Sequence, residues 1–234
     1  MVAFQNDEKQ VITTPQAVYD NLNGLVFADD TKVFGKLVAR TLIAEQTKDV
    51  PGDIVECGVF KGSGVLTWLK LKRLLMPGAL KKVIGFDYFN TEALLESLSG
   101  LDKQRMAELF SERSFSHENG AEQWVRTCAE KAGFSAADLE LVQGDITRTA
   151  EVFCSRRPGF KASVLYLDLD VAVPTYEALR AFWPRLSRGG LVVLDEYAYH
   201  QWSEAQGADR FFDEVGATIK TLPFSSPTAF VRKE

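Results

Sequence analysis

Between Pro51 and Asp195, short β-rich apolar runs alternate with amphipathic helical patterns, and this alternation restricts the fold more than any other feature. The runs are 53–57 (DIVEC), 82–87 (KVIGFD), 139–143 (LELVQ), 162–168 (ASVLYLD) and 190–195 (GLVVLD). Helical patterns fall near 63–76, 120–132, 147–156 and 174–186. The clearest, 120–132, places Ala121, Trp124, Val125, Cys128, Ala129 and Ala132 at i, i+3, i+4, i+7 spacing. Helix 174–186 opens on Pro174 and stops before Gly189-Gly190. The alternation predicts an α/β, doubly wound, mostly parallel sheet.

After residue 200 the pattern changes. A helix near 204–215 precedes 217–222 (ATIKTL) and 228–232 (TAFVR), separated by a Pro-punctuated turn. These read as an antiparallel pair closing one edge, for seven strands in the order 3-2-1-4-5-7-6. Helix 30–46 carries Val33, Phe34, Leu37, Val38, Thr41 and Leu42 along one face and is expected to pack that face on something. Residues 1–50 therefore read as a helical lid or oligomerisation segment on a domain spanning 51–234, one compact unit overall. The polar segment 90–119 is expected to be a long functional loop.

Composition narrows the function. A net charge of −5 gives no basic footprint for nucleic acid. The apolar runs are too short for a membrane span, and MVAFQNDEKQ lacks a signal pattern, so a cytoplasmic protein is expected. Cys57, Cys128 and Cys154 form no CxxC pair and read as small buried hydrophobes.

In an open α/β sheet, ligands bind at the carboxyl ends of the strands. The first such end reads DIVECGVFKGSGVLTWL. Its glycines, Gly58, Gly62 and Gly64, fit neither G-x-G-x-x-G nor a P-loop, and Glu56 precedes Gly58 by two. A carboxylate there repels a pyrophosphate and attracts an ammonium, which favours S-adenosylmethionine (SAM) over NAD. Glu56, Gly58, Gly62 and Ser63 would hold its methionine part, with the carboxylate facing the helix N-terminus. Asp87, ending the second strand, would accept the ribose hydroxyls, and Asp145, after the third, would reach the adenine edge.

The fourth and fifth strands end in Asp168 and in Asp195-Glu196, with Asp170 two residues beyond the first. Neighbouring parallel strands would gather these carboxylates into a hard-oxygen cluster suited to Mg²⁺ or Mn²⁺. His117, in the polar loop, and His200, after the acidic pair, are the only histidines. His117 is a second candidate for a base or acceptor contact.

Here the residues resemble a known family. GDIVECGVFKGSG, LYLDLDVAVPTYEAL…WPRLSRGGLVVLDEY and GADRFFDEVG are similar to the macrocin O-methyltransferase-like proteins over roughly 50–66 and 139–215. The resemblance implies a Rossmann-like class I fold and SAM- and Mg²⁺-dependent methylation of a small-molecule hydroxyl, often on a natural-product deoxysugar. It implies Asp168, Asp195 and Glu196 as metal ligands and Asp170 as base. The chain departs from the family where DYFNTEALLESLSG replaces Asp-Ser/Thr-Phe-Glu-Gly, where Glu196 replaces a frequent aspartate, and at Ala172, where an aromatic is common. A homo-oligomer is expected. Competing readings are another hydroxyl acceptor (catechol or polyketide), a D-x-D phosphohydrolase, and a SAM-binding module without catalysis. The phosphohydrolase is disfavoured because its motif belongs on a first strand.

Overall fold

The computed structural model describes residues 14–113 and 120–234. Seven strands form one sheet in the order β3-β2-β1-β4-β5-β7-β6. They are β1 (Asp53–Cys57), β2 (Val83–Asp87), β3 (Leu139–Gln143), β4 (Ala162–Leu167), β5 (Leu186–Leu194), β6 (Lys220–Thr221) and β7 (Ala229–Arg232). β1 to β5 run parallel, while β7 pairs antiparallel with both β5 and β6. The class I methyltransferase arrangement expected from the sequence is the one found.

Alternation along the strands divides the core into two layers. Val55, Cys57, Ile84, Phe86, Leu165, Leu167, Val192 and Leu194 point to one side. Ile54, Val83, Val164, Tyr166, Leu191 and Val193 point to the other. The first layer is covered by α7 (Ile146–Ser155), α8 (Ala172–Phe182) and α9 (Glu204–Val215), whose Phe153 and Phe182 close edge-on against Phe86 at 5.2 Å. The second is covered by α3 (Ser63–Leu75), α6 (Gly120–Lys131) and the end of α2 (Thr31–Thr47). Cys57 and Cys154 are buried free thiols.

Three expectations are corrected. Segment 90–112 is two helices, α4 (Thr91–Ser97) and α5 (Gly100–Glu112), rather than a loop; Asn90 caps the first through its side chain. β5 begins four residues before the expected start, so Gly189 and Gly190 lie inside it. A bulge there skips the register from Leu186 to Leu191, and a Cβ on Gly190 would come within 2.9 Å of the Ser163 carbonyl. Most consequentially, the face of α2 bearing Val33, Phe34, Leu37, Val38 and Leu42 is open to solvent, and the opposite face, with Ala39, Arg40, Ile43 and Ala44, is the packed one. A further helix, α1 (Pro15–Phe27), precedes it.

α9 lies so close to α8 that a Cβ on Gly207 would stand 2.1 Å from the Ala172 carbonyl oxygen. That approach seats the loop after β4 against the start of α9. Gly207→Ala must push the helices apart and is expected to cost about 1–3 kcal/mol, read as a lower midpoint in urea; an unchanged midpoint would show that the contact is soft.

Candidate functional site

The strand ends meet through backbone hydrogen bonds. Asp168 N–H donates to the Cys57 carbonyl and Asp195 N–H to the Leu167 carbonyl, each at 2.9 Å. Around this edge four non-glycine residues adopt left-handed backbone: Phe60 (φ 49°), Phe89 (49°), Asp170 (64°) and Ala198 (66°). They follow β1, β2, β4 and β5. Such conformations cost free energy and gather at functional sites.

After β1 the chain turns through Gly58 and Gly62 to start α3. Gly62, with φ 91°, occupies the cap position, and Ser63 is the first helical residue. Asp87 organises this turn: one carboxylate oxygen accepts from Val59 and Phe60 N–H, both at 2.8 Å, and the other from Phe89 N–H at 2.7 Å. Burial raises its pKa despite these donors. Gly58 is needed for a second reason, since its Cβ would overlap the Asp168 carbonyl oxygen at 1.9 Å. Asp145 caps α7, accepting from Thr147 N–H and Oγ1 at 2.9 and 2.8 Å.

Glu56 is buried beneath α3, with Oε1 where a Cβ on Gly64 would fall, and receives Arg40 Nη2 at 3.1 Å. Its second oxygen, Oε2, is buried without a hydrogen-bond partner. Burial lifts the Glu56 pKa while Arg40 opposes the rise. The Arg40 guanidinium lies 4.3 Å from the centre of the Tyr166 ring.

Asp195 is fully buried and both its carboxylate oxygens are engaged. Oδ1 accepts from the Tyr166 hydroxyl, and Oδ2 takes the Ser226 hydroxyl at 2.8 Å and Lys36 Nζ at 2.6 Å. Although burial opposes ionisation, Lys36 and these hydroxyls hold its pKa below the ordinary value. Lys36 also lies 3.3 Å from Asp168, whose pKa is driven well up by burial and by the charge of Asp195. Lys32 takes Glu196 at 2.6 Å. Among the described residues no group of three or more His, Cys, Asp or Glu side chains forms a ready ligand set for a metal; α2 lysines stand among the acids instead.

Asp170 differs from its neighbours. Burial, and then the charges of Glu196 and Asp195, push its pKa up to about 7. Its carbonyl accepts from Glu204 N–H at 3.1 Å, and Ser203 Oγ receives Ala172 N–H at 2.9 Å, pinning the loop to α9. α5 closes over the same edge: Ser203 donates to Asp102 at 3.0 Å, Arg105 bonds the Gln201 carbonyl, and Phe110 meets Phe60 with ring centres 6.0 Å apart. His200 is exposed beside this contact, and His117 lies outside the described residues.

The sequence reading missed Lys32, Lys36, Arg40 and Glu204. The basic residues recur every four positions on α2, a legible stripe. Glu204, at the start of α9, is 0% exposed and both its carboxylate oxygens lack a hydrogen-bond partner. Burial, and then the charge of Asp170, raise its pKa well above the usual value. An acid that binds its proton more tightly when folded loses stability as pH climbs past the ordinary glutamate range. In metal-free buffer near pH 8, Glu204→Gln is therefore expected to raise Tm by roughly 2–4 °C, with a smaller gain near pH 5. No gain at either pH would mean that the ionised carboxylate is stabilised in place.

A sequence profile of the macrocin-O-methyltransferase (TylF) family matches residues 36–219. No curated protein matches the chain. Among solved structures, CalS11, described as a TDP-rhamnose 3'-O-methyltransferase of calicheamicin biosynthesis, is 24% identical with a TM-score of 0.68, covering 96% of this chain and 88% of its own. The O-methyltransferase NovP is 18% identical with a TM-score of 0.70, covering 85% and 79%. An O-methyltransferase from Bacillus cereus, in complex with SAH, is 14% identical with a TM-score of 0.54, covering 95% and 93%. At these identities the structures share the fold. The profile match runs through the glycine turn and both acid-ended strands, so the chain belongs to the macrocin-O-methyltransferase family and is a SAM-dependent O-methyltransferase.

Proposed function

We propose that this enzyme methylates a hydroxyl of a sugar-bearing small molecule in natural-product biosynthesis, with Asp170 as the base. The carrying observation is Asp170 itself: a carboxylate in left-handed backbone at the strand edge, pinned through its carbonyl and pushed up to about 7. Sugar specificity is supported by the family and by the TDP-rhamnose 3'-O-methyltransferase description of CalS11.

SAM supplies, when bound, the methyl of its sulfonium for in-line displacement. The unpartnered Oε2 of Glu56 fits the α-ammonium, and the N-terminus of α3 at Gly62 and Ser63 fits the carboxylate. Gly58 keeps β1 and β4 together beneath them. Asp87 retains acceptor capacity on Oδ1 for a ribose hydroxyl, and Asp145 stands at the next strand end. Asp170 would take the proton of the acceptor hydroxyl in that displacement. α4 and α5 form the cover that orients the acceptor and excludes water. His117 remains the second candidate for the base.

The donor set of Asp168, Asp195 and Glu196 is all hard oxygen, and the Lys36 ammonium between the first two supports a cation at this position. These three residues would hold Mg²⁺ or Mn²⁺, which supplies Lewis acidity toward a nearby hydroxyl. Residues 1–50 are read as a helical cover on the catalytic domain 51–234. Exposed Tyr19, Leu22, Phe27, Phe34, Leu37 and Leu42 on α1 and α2 support a homo-oligomer built through these helices. No helix of the described residues is long and apolar enough to cross a membrane, and the three thiols are free, which supports a cytoplasmic enzyme.

The test is SAM turnover against a panel of nucleotide-linked and glycosylated deoxysugars. Asp170→Asn should lower kcat by about 10²–10⁴-fold while SAM affinity stays within a few fold, and EDTA should stop wild-type turnover until Mg²⁺ is restored. An unaffected Asp170→Asn enzyme moves the base to His117, and full activity in EDTA removes the metal from the mechanism. Light scattering should return a multiple of the chain mass, falling to the monomer in Leu42→Glu; a wild-type monomer would leave the exposed face of α2 without that role.

A further inference from the structure

We propose that Ser203 is a positioning residue whose hydroxyl couples the seating of the cover helix α5 to the placement of Asp170, so that the base is in register only while α5 is down. The proposal rests on Asp170 being the base, and it concerns what sets the position of that residue.

Three observations carry it. First, Ser203 forgoes the usual role of a serine at its place. It is the N-cap residue of α9, where a hydroxyl ordinarily accepts from an amide of its own first turn, and it makes no such bond. Its Oγ instead accepts from Ala172 N–H, the first amide of α8, at 2.9 Å. That amide needs an acceptor from elsewhere, because the N-cap residue of α8 is Val171, which has no side-chain oxygen. Ser203 thus caps a helix that starts 31 residues earlier in the chain.

Second, the proton of the same hydroxyl goes to the cover. Ser203 Oγ donates to Asp102 Oδ2 at 3.0 Å. A serine hydroxyl has one proton and two lone pairs, so aiming the proton at a carboxylate fixes the rotor with a lone pair toward Ala172. Without Asp102 the hydroxyl can turn, and the cap on α8 loosens. Asp102 and Arg105, three apart on one face of α5, grip one segment: Arg105 bonds the His200 carbonyl at 3.3 Å and also that of Gln201. Met106 is the one buried residue of α5, so polar contacts hold this helix down more than apolar packing does.

Third, the loop being placed is strained and is bracketed by consecutive residues. Asp170 has φ 64°, and such backbone persists only where its surroundings over-determine it. Glu204 N–H holds the Asp170 carbonyl at 3.1 Å, and Ser203 holds Ala172 two residues on. A shift of α5 therefore reaches the base through a single side chain.

The experiment compares Ser203→Ala, Asp102→Ala, the double variant and Asp102→Asn in the full chain. Exchange of the Ala172 amide is followed by NMR without acceptor, and turnover is measured with the most active member of the deoxysugar panel. Asp102→Ala should speed Ala172 exchange at least about tenfold, although its own bond is to Ser203. Each alanine variant should lower kcat about 10–10²-fold with KM for SAM unchanged. The double variant should match Ser203→Ala within about twofold, because Asp102 acts through Ser203. Asp102→Asn keeps a side-chain oxygen to accept from Ser203 and should stay near wild type. Unaltered Ala172 exchange in Asp102→Ala, losses that multiply in the double variant, or an Asp102→Asn enzyme as slow as Asp102→Ala overturns the coupling. An effect of Asp102→Ala confined to KM for the acceptor overturns it too, making Asp102 a substrate contact. Asp170→Asn is measured beside them: wild-type kcat there removes the base reading, and Ala172 exchange then decides the coupling by itself. If Ser203→Ala does not fold, Asp102→Ala and Asp102→Asn decide, since both leave α8 and α9 intact.

Discussion

Carboxylates converging at the ends of adjacent strands are the constraint that the rest of the molecule answers. Like charges only a few ångströms apart in partly desolvated surroundings repel by several kcal/mol, on the order of 4 at 4 Å for an effective dielectric of 20. The chain spreads the load. Asp195 is held ionised by Lys36, Tyr166 and Ser226, and Glu196 is paired with Lys32. The remaining acids are displaced toward their protonated forms, Asp170 to about 7 and Glu204 well above the usual value. A helix bearing Lys32, Lys36 and Arg40 on one face is therefore drawn charged side down onto the sheet edge, leaving its apolar side outward. Ordinary amphipathic logic is inverted by local electrostatics.

The backbone is fitted to the same edge. Gly58 permits the Asp168 carbonyl to approach β1, Gly64 leaves space for the Glu56 carboxylate, and Gly207 lets α9 descend on the loop after β4. In each case the side chain is absent because an oxygen or carboxylate of the site occupies its place. The strained residues Phe60, Phe89, Asp170 and Ala198 fall in the connections leaving β1, β2, β4 and β5. Fixing such conformations demands support, and here it comes from Asp87 on the backbone of Phe60 and Phe89 and from Glu204 on that of Asp170.

The sheet was legible because its signals are local. Alternation of apolar residues, helix starts and a Pro-flanked hairpin each lie within a dozen residues, and together they give the strand order found. What was not legible depended on distant partners or weak patterns. The packed face of α2 is selected by acids as far as 164 residues away, the separation of Lys32 and Glu196, so periodicity alone pointed to the wrong side. α5 buries only Met106 and therefore lacks an apolar stripe, which made 90–112 look irregular. Gly189-Gly190 carries a helix-stop signature but accommodates a bulge. Glu204 was invisible since a glutamate opening a helix is ordinary; only its burial without partners sets it apart.

Sequence supplied the acids as a set, and their surroundings divide the roles. Asp195 and Asp170 are both carboxylates at the same sheet edge, yet their environments push them in opposite directions. Asp195 has both oxygens engaged, and the Lys36 ammonium and the two hydroxyls favour its ionised form. It is fixed negative charge. Asp170 is held through its backbone, which leaves its carboxylate available, and burial raises its proton affinity into the range where a general base works near neutrality. Two similar groups separated by environment are how a single site can hold a cation with one carboxylate and remove a proton with another. On that physical ground the proposed base is Asp170 rather than the better-buried Asp195.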